Sequence, residues 1–178
     1  MPADDANGRQ GLRIEISGAM PEWDAFHDFI EACLRQSAQD LTLKNTEISV
    51  HLCNDGEMAS LNETYRGKKG PTNVLSFAPA GMKLSNAPEH LLGDIVLAYE
   101  TITREATEQA KPFEAHLAHL LVHGLLHLLG HDHQDDAEAA LMEGQEIHLL
   151  AAMGFANPYD AAHEAGGAET VSAAGHKG

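Results

Sequence analysis

The chain has 178 residues, 43% of them hydrophobic, so its length and composition suit one domain with its own core. It carries 27 acidic residues against 11 basic ones, which gives a formal net charge of −16. A field of that sign repels phosphate backbones and argues against tight, non-specific binding to nucleic acid, although a local basic site remains compatible with it.

The polar, acidic start of the chain, MPADDANGRQ, lacks the apolar centre that a signal peptide requires. The longest apolar run, at 117–130, is short for a membrane span and is interrupted by three histidines. We therefore expect a cytoplasmic protein that contacts no membrane. In that compartment its two cysteines, Cys33 and Cys53, are expected to be reduced and buried.

The first half of the chain contains two half-buried strands and two helices. Alternating apolar and polar residues predict strands at 12–17 and 47–52, and apolar residues at helical spacing predict a helix over 22–39. Asn54, with Glu57 three residues later, is typical of a helix start. The helix that follows is expected to bury one apolar face, made by Met58, Leu61 and Tyr65.

Two more strands follow, VLSF at 74–77 and the largely apolar LLGDIVLA at 91–98, whose composition is typical of a sheet interior. Beyond them the pattern is helical, and Pro112 and Asp135 mark two helix starts. The sequence therefore predicts an α+β fold with strands early and helices late.

We expect a single domain over residues 12–156. The polar residues 1–11 are predicted to be a flexible N-terminus, and the small-residue segment at 157–178 is predicted to be a disordered tail.

Six of the twelve histidines lie between positions 116 and 133, threaded through leucines. Residues four apart on a helix are about 6 Å apart along its axis, so two such imidazoles can reach one metal ion. His119, His123 and His127 satisfy this spacing pairwise. The outer two are about 12 Å apart along the axis and cannot share an ion, so one pair must be chosen.

Gly130 favours the pair His123 and His127. A glycine just beyond a helix lets the backbone fold back on the last turn, which returns the next residues towards His127. The pair at 123 and 127 is then completed by His131 or His133. The spacing HxxxHxxGxxH, shared with the zinc pattern of metzincin proteases, favours His133. We predict one zinc ion held by three histidines.

Three protein ligands leave one position open, which is typical of catalytic zinc. An open zinc activates water and polarises carbonyl or phosphoryl oxygens, so the site indicates hydrolysis. Metzincins carry their glutamate base directly after the first histidine, where this chain has Gly124. Phosphodiester cleavage is therefore favoured over peptide hydrolysis. Arg66, in the basic segment RGKKGPTN, could bind phosphate through two parallel hydrogen bonds, although this segment could also be a solvated turn.

HGLLHLLGHDH, preceded by AHLAHLLV, resembles the signature of the YbeY endoribonucleases, which are bacterial rRNA maturation factors. LNETYRGKKGPTNVLSF, GDIVLA and AALMEGQEIHLLAAMGF are similar to further segments of that family, in the same order, across roughly residues 12–156. The resemblance implies a mixed four-stranded sheet flanked by helices and a functionally important Arg66. It also implies a metal, most often zinc, at the ligands His123, His127 and His133.

The resemblance further implies a single-strand-directed, metal-dependent endoribonuclease that matures ribosomal RNA, notably the small-subunit 3′ end, and takes part in ribosome quality control. The implied partners are ribosomal RNA, a ribosomal small-subunit protein and a ribosome-associated GTPase, with no DNA. Two alternatives stay open. One is a zinc metalloprotease whose base comes from another segment. The other is a non-catalytic ribosome-assembly factor with structural zinc, in which His131 would supply a fourth ligand.

Overall fold

The computed structural model describes residues 12–79 and 91–160, and the structural statements below concern these two ranges. The strands are β1 (Leu12–Ser17), β2 (Thr46–Cys53), β3 (Val74–Phe77) and β4 (Leu91–Ala98). The α-helices are α1 (His27–Asp40), α2 (Asp55–Arg66), α3 (Tyr99–Glu108), α4 (Phe113–Leu128) and α5 (Asp136–Ala152). A 3-10 helix at Pro21–Phe26 leads into α1.

The strands form one mixed sheet in the order β1-β2-β4-β3. Strands β1, β2 and β4 are parallel, and β3 pairs with β4 in the antiparallel sense. The apolar β4 therefore lies inside the sheet, as its composition predicts, whereas the short β3 is an edge strand. The predicted α+β fold with a mixed four-stranded sheet flanked by helices is confirmed.

Strand side chains alternate between the two faces of the sheet, so each face has its own core. The two cores differ in size. On one face, residues such as Ile48, Val50 and Leu97 join α1, α4 and α5 in the large core. On the other face a small cluster packs under α2, made by Cys53, Met58, Leu75, Val96 and Ala98. Both cysteines are buried free thiols, as expected, and burial raises the pKa of each to about 12.

Helix α2 begins as predicted but differs from expectation at its end. The side chain of Asn54 accepts a hydrogen bond from the Glu57 backbone N–H at 2.8 Å, so the predicted cap is confirmed. Met58 is buried, but Tyr65 is 65% exposed, and the expectation that it joins the core was wrong. Tyr65 lies in the last turn of α2, where its ring contacts Phe77 of the edge strand β3.

The packed chain also continues beyond position 156. Pro158 is buried, and Tyr159 hydrogen-bonds to Glu146 of α5, so these residues belong to the packed structure and not to a disordered tail. The expected flexible segment at 1–11 and the remainder of the tail lie outside the described residues. Among the helices of the two described ranges, none has the length and apolarity needed to cross a bilayer.

Candidate metal centre

Helix α4 is buried on nearly all sides. Pro112 stands at its N-terminal cap, and every residue from His116 to Leu126 is buried. A helix that is apolar all round needs cover on every side, which here comes from the sheet, α1, α3 and α5. Its histidines are therefore held by surrounding packing before any ligand binds.

The end of α4 reverses as the sequence predicts. Gly130 has φ 98, in the left-handed region that favours glycine. The His131 N–H donates to the Leu126 carbonyl at 3.0 Å, and the Gly130 N–H donates to the His127 carbonyl at 3.0 Å. These two bonds define a Schellman motif, which turns the chain back over the last helical turn.

The reversal brings three histidines together. One ring nitrogen from each of His123, His127 and His133 lies within 4.8 Å of the other two. The Nε2 atoms of His123 and His127 are 3.1 Å apart. In a tetrahedral zinc site with Zn–N bonds of about 2.0–2.1 Å, two ligand nitrogens are about 3.3 Å apart, so this pair fits such an ion. The predicted spacing of ligands is therefore present in the fold.

His131 takes a different place in the turn. Among the described residues, the group that could hold a metal contains three members, and His131 is not one of them. Its backbone supports the group instead, through the helix-ending bond described above and a hydrogen bond with the His127 ring. Asp132 holds the backbone of the third histidine, because its Oδ1 accepts the His133 N–H at 2.7 Å.

A buried carboxylate orients His123, the first of the three histidines. Glu146, 1% exposed, reaches from α5 and accepts a hydrogen bond from His123 Nδ1 on its Oε2 at 3.0 Å. Its Oε1 accepts from His119 Nε2 at 2.7 Å and from the Tyr159 hydroxyl at 2.5 Å. Because its Nδ1 proton is donated to Glu146, His123 has a lone pair on Nε2, which faces His127. A metal ion would bind through such a nitrogen lone pair.

The electrostatics keep this group ready to bind a cation. Burial alone would raise the pKa of Glu146, but the hydrogen bonds from His119 and His123 outweigh it and hold the pKa well below its usual range. Burial and the imidazoles of His123 and His133 lower the pKa of His127 from 6.5 to about 4. At neutral pH the centre therefore combines a carboxylate with a neutral imidazole at His127, the form that coordinates metals.

A second polar cluster lies further along α4. His116, 1% exposed, contacts Glu105 Oε1 of α3 through its Nε2 at 2.9 Å. The same oxygen accepts a hydrogen bond from the Asn73 side chain at 2.9 Å, and Asn73 immediately precedes β3. His116 thus ties α4 to α3 and to the start of β3.

Gly124 faces the sheet where a metzincin has its glutamate. A Cβ at this position would lie 3.1 Å from Ser76 Oγ and 3.3 Å from Ile95. Ser76 Oγ donates to the Gly124 carbonyl at 3.1 Å, which joins β3 to α4 beside His123. Any side chain here would make tight contacts, so the glycine fits the close packing of the helix against the sheet.

Arg66 is placed apart from the histidines. It is the last residue of α2, and Gly67, at φ 66, ends the helix in the left-handed conformation. Asn62 then donates from its side chain to the Gly70 carbonyl at 2.8 Å and fixes the following loop. The guanidinium is exposed on the face of the sheet opposite α4, so no contact joins it to the three histidines within the described ranges.

Two members of the site were not predicted from the sequence, Glu146 and Tyr159. Glu146 carried a detectable signal, because it follows Met142 by four residues on the buried face of α5, and a carboxylate in such a position needs partners. Tyr159 carried none, since it follows Pro158 in a stretch of small and polar residues.

Comparison with known proteins identifies the family of this chain. The profile of the family described as Endoribonuclease YbeY matches residues 15–154. A protein from Parvibaculum lavamentivorans named Endoribonuclease YbeY is 46% identical over 164 residues, covering 86% of this chain and 88% of its own. One of the same name from Methylococcus capsulatus is 45% identical over 151 residues, covering 83% and 93%.

The fold is also found among solved structures. The solution structure of a Thermotoga maritima protein matches with a TM-score of 0.57 at 22% sequence identity, covering 79% of this chain and 87% of the other. At that identity the likeness concerns the fold alone. The match of the family profile and the two relatives place the chain in the YbeY family, and the protein is an endoribonuclease.

Proposed function

We propose that this endoribonuclease is metal-dependent, cuts single-stranded RNA and processes ribosomal RNA, notably the small-subunit 3′ end, during ribosome maturation and quality control. The observation that carries the proposal is the convergence of ring nitrogens from His123, His127 and His133 at the end of α4. Three imidazoles suit one zinc ion and leave a position for substrate. Zinc bound there would polarise phosphoryl oxygens and lower the pKa of water.

The protein's own side chains and backbone orient the histidines and the substrate phosphate. Glu146 holds His123 in the tautomer that presents Nε2, and the turn around Gly130 positions His133. Arg66 binds the phosphate, because an exposed guanidinium with no ion pair among residues 12–79 and 91–160 can form two parallel hydrogen bonds with it. Arg66 and the histidines lie on opposite faces of the sheet, and β3 forms the sheet edge beside both. An RNA strand that crosses this edge could contact both groups.

The acidic charge of the protein bears on its partners. With a net charge of −16, the chain gains little from long-range attraction to RNA. Delivery by ribosome-bound proteins would overcome this, which fits the small-subunit protein and the ribosome-associated GTPase that the family resemblance implies. The same proposal places the protein in the cytoplasm, where ribosomes mature.

The proposal is tested by assaying purified variants on structured ribosomal RNA. We expect His127→Ala and Arg66→Glu to lose cleavage, the first through the metal centre and the second through the phosphate contact. Arg13→Glu is the matched control, because it reverses a charge on β1, at the opposite edge of the sheet, and should cut normally. Wild-type rates in both His127→Ala and Arg66→Glu would refute the assignment of these residues.

Metal content and cellular RNA provide the second test. Native protein should contain one zinc ion with three nitrogen ligands from the protein and an exchangeable position. Four protein nitrogens with no exchangeable position would instead support a structural metal. In cells, a His127→Ala strain should accumulate uncut small-subunit rRNA precursors, and normal 3′ ends in that strain would count against the rRNA role.

A further inference from the structure

Tyr65 is an exposed aromatic side chain held in a fixed position. At 65% exposure it is one of two exposed large hydrophobic residues in the described ranges, the other being Leu141. Its ring meets Phe77 edge to face, with centroids 5.2 Å apart and an angle of 65° between the planes. This edge contact anchors the ring while leaving it largely open to solvent.

The chain that follows Tyr65 is locally basic, although Glu63 precedes it and Asp94 of β4 pairs with Phe77. Residues 64–79 include Arg66, Lys68 and Lys69 but no aspartate or glutamate, in a chain where acidic residues outnumber basic ones. All three cationic side chains are exposed. Exposed aromatic rings next to basic groups are the combination that binds single-stranded nucleic acid, through base stacking and phosphate attraction.

The position of Phe77 connects this surface to the metal centre. Ser76, the preceding residue, bonds to Gly124 of α4 on one face of β3, so the Phe77 side chain points to the other. A Cβ on Gly93 would touch both the Phe77 carbonyl and the Leu128 side chain at the end of α4. Tyr65 and the metal centre therefore lie on opposite sides of the same end of one edge strand.

We propose that Tyr65, supported by Phe77, stacks against a base of the single-stranded RNA whose backbone is held by Arg66. The inference rests on the proposed function, because it names a contact for the same substrate. The edge-to-face contact with Phe77 restricts the ring before RNA binds, so less side-chain freedom is lost on binding. Stacking needs no particular base, so this contact selects unpaired over paired RNA.

The alternative role for Tyr65 is to cover the small hydrophobic cluster under α2, and substitutions separate the two. Tyr65→Phe keeps an aromatic face, whereas Tyr65→Leu keeps the apolar cover but cannot stack. We expect Tyr65→Phe to bind single-stranded RNA as wild type does, and Tyr65→Leu to bind it about five- to a hundredfold more weakly. Leu141→Ala removes the other exposed hydrophobic side chain and should leave binding unchanged.

Binding is measured with single-stranded RNAs that carry one 2-aminopurine at successive positions, in a His127→Ala background so that the RNA stays intact. A stacked base should be quenched at one position with Tyr65 or Phe, and the quenching should disappear with Leu. If Tyr65→Leu binds and quenches like Tyr65, the stacking proposal is overturned and the ring is a cover alone. Quenching that depends on Tyr65, with no cleavage of rRNA by wild type, would overturn the proposed function alone.

Discussion

Replacing Glu146 with glutamine should weaken metal binding by changing the tautomer of His123. Glutamine keeps the shape of glutamate but presents one oxygen and one NH₂ group. Oε1 already accepts two donors, His119 at 2.7 Å and Tyr159 at 2.5 Å, so the amide oxygen is expected to stay there. The NH₂ group then faces His123 Nδ1, which must become an acceptor, and the His123 proton moves to Nε2.

The expected magnitude follows from that geometry. A proton on Nε2 of His123 would point at His127 Nε2, 3.1 Å away, and would occupy the lone pair that the metal needs. Loss of such a supporting hydrogen bond to a metal ligand costs about 10- to 100-fold in metal affinity. We therefore expect the zinc dissociation constant of Glu146→Gln to rise by that factor.

Competition with a chromophoric chelator measures this constant, and ¹⁵N chemical shifts of the His123 ring report the tautomer directly. Glu108→Gln, which removes an exposed carboxylate at the end of α3, is the matched control and should bind zinc as wild type does. If folded Glu146→Gln bound zinc within twofold of wild type, the reasoning about tautomers would be refuted.

Three further predictions concern the surroundings of the centre. Gly93→Ala should lower the free energy of unfolding by at least about 3 kcal/mol, measured by urea denaturation, because the new Cβ would lie 2.1 Å from the Phe77 carbonyl oxygen and force β3 away from β4. An unchanged urea midpoint would contradict this. Gly124→Glu should not create a peptidase and should prevent stable folding, since the added carboxylate would be buried against Ser76. A soluble variant with native circular dichroism would show that the packing is looser. The metal-free protein should lose stability as the pH falls from 6.5 to 4. In that window the unfolded chain protonates His127 while the folded chain, with a pKa of about 4, does not. His127→Gln should flatten this part of the profile, and an equally steep slope in that variant would argue against it.

The strands were accessible from sequence because their patterns are local. Residues 12–17, 74–77 and 91–98 form strands over the predicted lengths, each bounded by glycine, proline or a polar loop. The same holds for the reversal at Gly130, since one glycine after an apolar helix determines both the backbone conformation and the direction of His133. The proximity of the three ligands could therefore be derived without knowing the rest of the fold.

What the sequence did not reveal depends on contacts between distant segments. The exposure of Tyr65 depends on which distant residues pack against the last turn of α2, and helical periodicity cannot report this. The bond between Tyr159 and Glu146 joins α5 to a segment that has no regular pattern of its own. Placing Arg66 on the opposite face from α4 likewise required the alternation of β3 and the order of the strands.

The hydroxyl of Tyr159 has a consequence for how the enzyme is made. A ribosome synthesises His123 and His127 well before it reaches Tyr159, and domains begin to fold while synthesis continues. Until that tyrosine has emerged, Glu146 lacks one of its three donors and His123 is less firmly oriented. The candidate metal centre of a chain still attached to its own ribosome is therefore incomplete until Tyr159 has been synthesised and has packed against α5.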